Sequence, residues 1–333
     1  MRRYYTGLLV HPYEKLPRPL NGRRWAITIE PKLDDDIRRA HTSDPNEIVI
    51  SAKTAERAQA VLTLILDSWT VLNGMLPAAD DLRVIPEDDE EREQEESDSL
   101  FNPREAWSRS GFPLSCLIAQ RASMKRNLIY ATALFRQSLA LHANDVMELV
   151  PGAFPYQHRS MNPRDHVRFA YAIVTAYAAL EQLGLSLHGE CFRRGVWIKE
   201  KREDLERRLK HAGIILNDPL LWTLRGGKTR LEAKRPPTVV RKCTWSRGQV
   251  RDCEVDFVDA IADLRWFRSR VGAHDVDSLA SVLSVHDVAN AQGLARRAVL
   301  ESMGFSKARI RDFHKGYEDK AEQPLTPDET THG

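Results

Sequence analysis

The chain has 333 residues, 42% of them apolar and 29% charged. That mix supports one or two domains with real cores and excludes a wholly disordered chain. The net charge is only +2, but residues 80–98 hold eleven acids against two bases, formally −9, which leaves +11 on the rest. Apolar runs are broken by charges before they reach the length of a membrane span, so no transmembrane helix is expected. The N-terminal MRRYYTGLLVHPYEKLP lacks the apolar stretch of a secretory leader. Four cysteines with no C-x-x-C spacing make no disulfide scaffold, zinc ribbon or redox pair. The expected compartment is the reducing cytoplasm, with no membrane association.

Residues 1–78 are expected to form a small α/β N-terminal region. RRWAITI (23–29) and EIVIS (47–51) carry β-formers in loose alternation and predict two strands. Ala58, Val61, Leu62, Ile65, Trp69 and Leu72 then recur at helical spacing, and Asn73-Gly74 stops that helix. Residues 79–111 are expected to be an acidic linker, because like-charge runs are usually solvated. The sharper alternative is that this acidic run masks a basic groove elsewhere on the chain.

Residues 112–158 are expected to be one long helix from Pro113 to about Leu141, followed by a proline-rich connector. The next helix starts at Asn162-Pro163, with Val167, Ala170, Ile173, Val174, Tyr177, Leu180, Gly184 and Leu187 along one face. A very charged helix over 198–212 is anchored by Leu205 and Leu209 and stopped by Gly213. Residues 214–250 are expected to be loop. A helix from Val255 to about Gly272, a short helix or turn over 275–283, and a last helix over 288–303 capped by Ser284 or Asp287 complete the domain. The C-terminal half therefore predicts an all-α bundle, and residues 307–333 a polar tail. The fold class expected is mainly α.

The segment Leu264-Arg265-Trp266-Phe267-Arg268-Ser269-Arg270-Val271-Gly272-Ala273-His274 ends a helix with cations and one imidazole. RNA is cut without metal when a base takes the 2′-hydroxyl proton and a cation stabilises the crowded phosphorane. Histidine titrates near neutral pH, which suits proton transfer. Arginine presents a planar fork that matches phosphate oxygens. Ser269 is placed to orient either group. Six positions rotate by about 240° on a regular helix, so Arg268 and His274 share no face. Arg270 and His274, four apart, do share one. Gly272 offers an end to the helix beyond which His274 can turn.

Arg268 and His274 resemble the R-x(4–6)-H motif of the HEPN superfamily (higher eukaryotes and prokaryotes nucleotide-binding). Ser269 stands where that family most often has asparagine. The resemblance covers about 159–306. It includes RFAYAIVTAYAALEQLGLSL (168–187) with Ala179-Leu180-Glu181, and DVANAQGLARRAVLESMGF (287–305). It implies a helical bundle that forms a homodimer, with two arginine–histidine pairs meeting across a cleft. It also implies metal-independent endoribonuclease activity in toxin–antitoxin or antiviral defence settings, or else a non-catalytic module that binds RNA, a nucleotide or a protein partner. The catalytic residues expected are Arg268 and His274, with Ser269, Arg270 and Glu181 in support. The partners expected are RNA, a second copy of the chain and an antitoxin or defence-system protein. No cofactor or metal is called for.

Plainer readings stand beside these. His274 near a helix end gains from the helix dipole. Arg268 has surface acids such as Asp263 and Asp275 to pair with. Trp266 and Phe267 read as core or interface. Arg193-Arg194 and Arg296-Arg297 read as ordinary surface charge, with an RNA path as the alternative.

Overall fold

The computed structural model describes residues 1–10, 16, 18–31, 46–77, 82–87, 111–142, 163–225, 234–242, 249–272 and 283–311. Most of the acidic run, the 143–162 connector, residues 275–282 of the expected turn, Cys243 and residues 312–333 of the tail lie outside the described residues. The protein is mainly α-helical. Among the described residues no helix is long and apolar enough to cross a membrane. The chain divides into two compact units. One comprises 1–65, 79–120 and 305–333, and the other comprises 66–78 and 121–304.

The first unit is built on an antiparallel sheet. Its strands are β1 (Arg2–Val10), β2 (Leu20–Gly22), β3 (Trp25–Pro31), β4 (Asn46–Ala52) and β5 (Ile85–Pro86), in the order β2-β3-β4-β1-β5. The two strands expected from sequence are β3 and β4, and three more surround them. β1 follows a period of two, with Tyr4, Thr6, Leu8 and Val10 buried. Gly7, at φ +66, breaks its register against β4 with a bulge. The Gly7 amide donates to the Glu47 carboxylate at 2.9 Å, and the Thr6 hydroxyl donates to the Ile48 carbonyl at 2.7 Å. These side chains replace ladder bonds that the bulge removes.

The helix α1 (Ala55–Asn73) stops at Gly74, whose φ of +74 suits glycine. β5 corrects the expectation that 79–111 is linker throughout. The Gln59 amide donates to the Leu82 carbonyl and accepts from the Val84 amide, both at 3.0 Å, and β5 then pairs with β1. Arg3 lies 3.1 Å from Glu87 beside that pairing.

The single helix expected over 113–141 is two helices, α2 (Phe112–Ser123) and α3 (Arg126–Leu141). Lys125 is extended between them (φ −135, ψ 127). Neither glycine nor proline marks the break, so local sequence could not reveal it.

The second unit is centred on α4 (Pro163–Gln182), which packs against α3, against α7 (Phe257–Gly272) and against α8 (Val285–Ser302). Ala170, Ala172, Ala176 and Ala179 are all fully buried in it. Small side chains let three helices approach one central helix closely. α4 ends at Gly184 (φ +76) rather than near Leu187, which is buried in the following loop. Val167, expected on the buried face, is exposed. α5 (Lys199–His211) buries Leu205 and Leu209 completely, as its spacing requires. The cap expected for α8 is a full capping box between Ser284 and Asp287.

The half expected to be all-α also contains strands. β6 (Phe192–Arg193) pairs with β7 (Val196–Trp197), and β8 (Leu220–Arg225) pairs with β9 (Val250–Val255). A short helix α6 (Pro237–Lys242) lies between β8 and β9 in sequence. In β8, Leu220, Trp222 and Leu224 are buried while Leu221 is exposed. The apolar Leu221 hid the alternation. Asn290 of α8 both donates to and accepts from the Thr223 backbone, at 2.8 and 3.0 Å, and so completes the edge of β8.

His142 closes α3 with its ring edge-on to Phe169 at 4.5 Å. Burial holds this imidazole below the ordinary histidine pKa; Asp165 opposes the shift and Arg168 adds to it. A base whose folded pKa is depressed contributes stability above its ordinary pKa, and that contribution is lost as the pH falls through the folded value. Urea unfolding should therefore show stability declining on acidification below about pH 6.5. His142→Leu should flatten part of that decline, and an unchanged profile would remove His142 from it.

Candidate active site on the outer face of α7

α7 begins at Asp256, whose carboxylate accepts the Asp259 amide at 2.8 Å as an N-cap bond. Phe257, Val258, Ile261, Leu264, Phe267 and Val271 are buried. That periodicity turns Arg265, Arg268 and Ser269 away from the core. The helix ends at Gly272, as its sequence suggested. His274 lies two positions further on, outside the described residues.

Arg268 and Glu181 are brought together. The guanidinium lies 3.3 Å from the carboxylate, and the side chains are 49% and 29% exposed. The pair is thus open to solvent and to a ligand. An exposed pair is weak, so its exchange for a phosphate costs little. Asp263, one of the acids considered for Arg268, is fully buried and pairs elsewhere.

The surroundings of this pair are fixed from below. The Tyr177 hydroxyl accepts the Leu187 amide at 3.1 Å. Burial raises its pKa, so the phenol keeps its proton. Arg265, one turn before Arg268, donates to the Gly189 carbonyl at 2.6 Å and to Cys191 Sγ at 3.0 Å. It holds the 186–191 loop against α7. Burial raises the Cys191 thiol, so this sulfur is a packing group rather than a nucleophile. Sequence reasoning gave Arg265 no role, although its spacing of three from Arg268 put both on one face.

Ser269 does not orient Arg268. Its hydroxyl donates back to the Trp266 carbonyl at 2.9 Å, a bond that serine makes within helices. Arg270 lies over the Trp266 ring, 5.7 Å from its centroid. It is two positions from Arg268 and therefore points elsewhere on the helix. Phe267 is core and Trp266 half-buried.

The inner face of α7 carries two buried acids. Asp259 accepts the Trp197 indole N–H at 2.6 Å, and Asp263 accepts that of Trp222 at 3.2 Å. Asp263 also accepts Arg235 Nε at 2.9 Å, and the same guanidinium lies 3.3 Å from Asp287. Arg235, Asp263 and Asp287 are all buried. This network fixes the start of α8 to the middle of α7. An acid amid Ile261-Ala262-Asp263-Leu264 signalled it, since a charge in an apolar face requires a partner.

The Arg296-Arg297 pair is likewise structural. Arg296 donates to the Val71 carbonyl at 2.8 Å and to that of Leu72, and burial lowers its pKa to about 10. Arg297 pairs with Glu301 at 2.8 Å and with Asp218 at 3.2 Å. Both guanidiniums are taken up by acceptors of their own unit rather than left as free surface charge. Among the described residues no three His, Cys, Asp or Glu side chains form a metal-ligating group.

Comparison of the chain with protein-family models, with curated proteins and with solved structures finds no match.

Proposed function

We propose that the protein is a metal-independent endoribonuclease of HEPN type, acting as a homodimer in a toxin or anti-phage defence setting. The observation that carries this reading is the placement of Arg268. It stands on the outer face of α7, half exposed and steadied by Glu181, one turn before the helix ends at Gly272. His274 follows two residues later in sequence.

In the proposed reaction His274 takes the proton of a ribose 2′-hydroxyl. The 2′-oxygen bonds to the adjacent phosphorus, and the bond from phosphorus to the 5′-oxygen breaks. The leaving 5′-oxygen takes a proton from water. The products are a 2′,3′-cyclic phosphate and a 5′-hydroxyl. Arg268 holds the non-bridging oxygens as negative charge builds on them. The twin subunit brings a second arginine–histidine pair to the same cleft.

The test is an RNA cleavage assay with chelator present, on wild type and His274→Ala, with oligomeric state and product ends measured on the same samples. Cleavage by wild type alone, leaving cyclic phosphate ends, is the expected result. Intact RNA after incubation with a folded, dimeric wild type overturns the reading.

A second reading is a non-catalytic module that binds RNA, a nucleotide or a protein partner such as an antitoxin. Ser269 bonded to its own helix and Arg268 already paired with Glu181 both favour it. RNA affinity without cleavage, unchanged in His274→Ala, would select it.

A further inference from the structure

An open cleft of about 750 Å³ lies in the second unit, at the last turns of α4, α5 and α8 and the first turn of α3. It is of the size that holds small ligands or a few groups of a polymer. Lys125, Arg207, Arg208 and His211 stand in its wall. The acid in the wall, Glu301, is engaged by Arg297 and by the Ile215 amide, each at 2.8 Å.

Part of this basic lining answers the helices themselves. Arg208 donates to the Gly184 and Ser186 carbonyls at 2.6 and 2.8 Å, where a cation suits the negative end of α4. Lys125, two residues past the end of α2, suits the negative end of that helix but opposes the helix that follows it. It occupies the N-cap of α3, makes no side-chain cap bond, and is followed by Arg126 in a first turn with no acid. Cations are disfavoured at that end of a helix, and an N-cap favours serine, threonine, aspartate or asparagine. Among the described residues the Lys125 ammonium has no partner in a hydrogen bond or ion pair. Arg207 across the cleft pairs with Asp204 only in an exposed contact on its own helix, which yields easily to another anion. A local choice that opposes helix stability is expected where a ligand compensates for it.

The cleft and the Arg268 site meet in sequence at the end of α4, where the Gly184 amide donates to the Glu181 carbonyl at 3.0 Å. Glu181, the partner of Arg268, and Gly184, in the cleft wall, are one helical turn apart. We propose that the cleft is a subsite for single-stranded RNA flanking the scissile bond, with Lys125 and Arg207 on its phosphates. This rests on the ribonuclease reading for the identity of the strand. Such contacts bind substrate and transition state alike, so they act on KM rather than kcat.

The experiment uses the full chain and a single-stranded 2′-O-methyl RNA decamer, which lacks the attacking hydroxyl and cannot be cut. Lys125→Ser gives α3 a proper cap and should raise the thermal midpoint, so weaker binding in this variant is not a folding defect. Lys125→Ser with Arg207→Ser should weaken binding roughly 25-fold at 0.1 M salt and reduce the salt slope by about 1.4, from two phosphate contacts on a single strand. With cleavable RNA the pair should raise KM and leave kcat unchanged. Arg193→Ser with Arg194→Gly, on the β6–β7 hairpin, is the control. A decamer that does not bind wild type, unchanged affinity and slope in the cleft variants, or a loss confined to the hairpin variants each overturns the proposal. Cleft-dependent binding with no cleavage by wild type leaves the subsite standing and removes the nuclease. Cleavage by a wild type whose cleft variants match it does the reverse.

Discussion

Replacing His274 by alanine is expected to lower the rate of RNA cleavage about 10²- to 10⁴-fold, the range that general acid–base groups contribute. Arg268→Ala should fall in a similar range, because a charge-assisted phosphate contact in the transition state is lost. In the proposed reaction the two groups act on one phosphodiester as a unit, so the double variant should be scarcely worse than either single variant. Glu181→Gln separates positioning from chemistry. It removes a negative charge 3.3 Å from the Arg268 guanidinium, so under the proposed role of Arg268 RNA binding should tighten. It also removes the group that steadies Arg268, so kcat should fall. Single-turnover cleavage and equilibrium binding on the same variants measure both. Additive losses in the double variant, or kcat untouched by Arg268→Ala, would remove Arg268 from the reaction.

The largest stability effect is expected on the inner face of α7. Arg235 lies between Asp263 and Asp287, with all three buried. Burial pushes the Asp287 carboxyl above its ordinary range, with Arg235 acting against that shift. Arg235→Ala strands two acids without their cation, and breaking one partner of a buried pair costs about 3–5 kcal/mol. Against a total stability of about 5–15 kcal/mol, that loss unfolds a large fraction of the protein. Arg235→Met with Asp263→Asn should recover part of the loss, since Asp287 then keeps only its Ser284 partners. The amide oxygen still accepts the Trp222 indole N–H, and no unpaired charge remains on α7. Urea unfolding of wild type and both variants is the measurement. Equal destabilisation of the single and double variants would show that packing, not charge, holds this site. The network explains why Arg268 stands where it does, because α7 is fixed from its inner face.

Local pattern alone located β3, β4, α1, α5 and α8. In each, the repeat of apolar residues matches the period of the element, and a cap or glycine marks an end. Arg268 is reached through its resemblance to the R-x(4–6)-H motif and not through periodicity, since helical spacing alone pairs Arg270 with His274. The break at Lys125 carried no such mark. Nor did β5, which exists through Gln59 and β1 rather than through any preference of Ile85-Pro86. The backbone acceptors of Arg296 and Arg297 and the bond of Ser269 to its own helix joined the same class. Composition and periodicity report what one residue prefers and where its helix or strand turns it. They do not report which distant group arrives opposite. Whether an arginine is a free phosphate fork or a cap for buried carbonyls is decided by that arrival, and so by the tertiary structure.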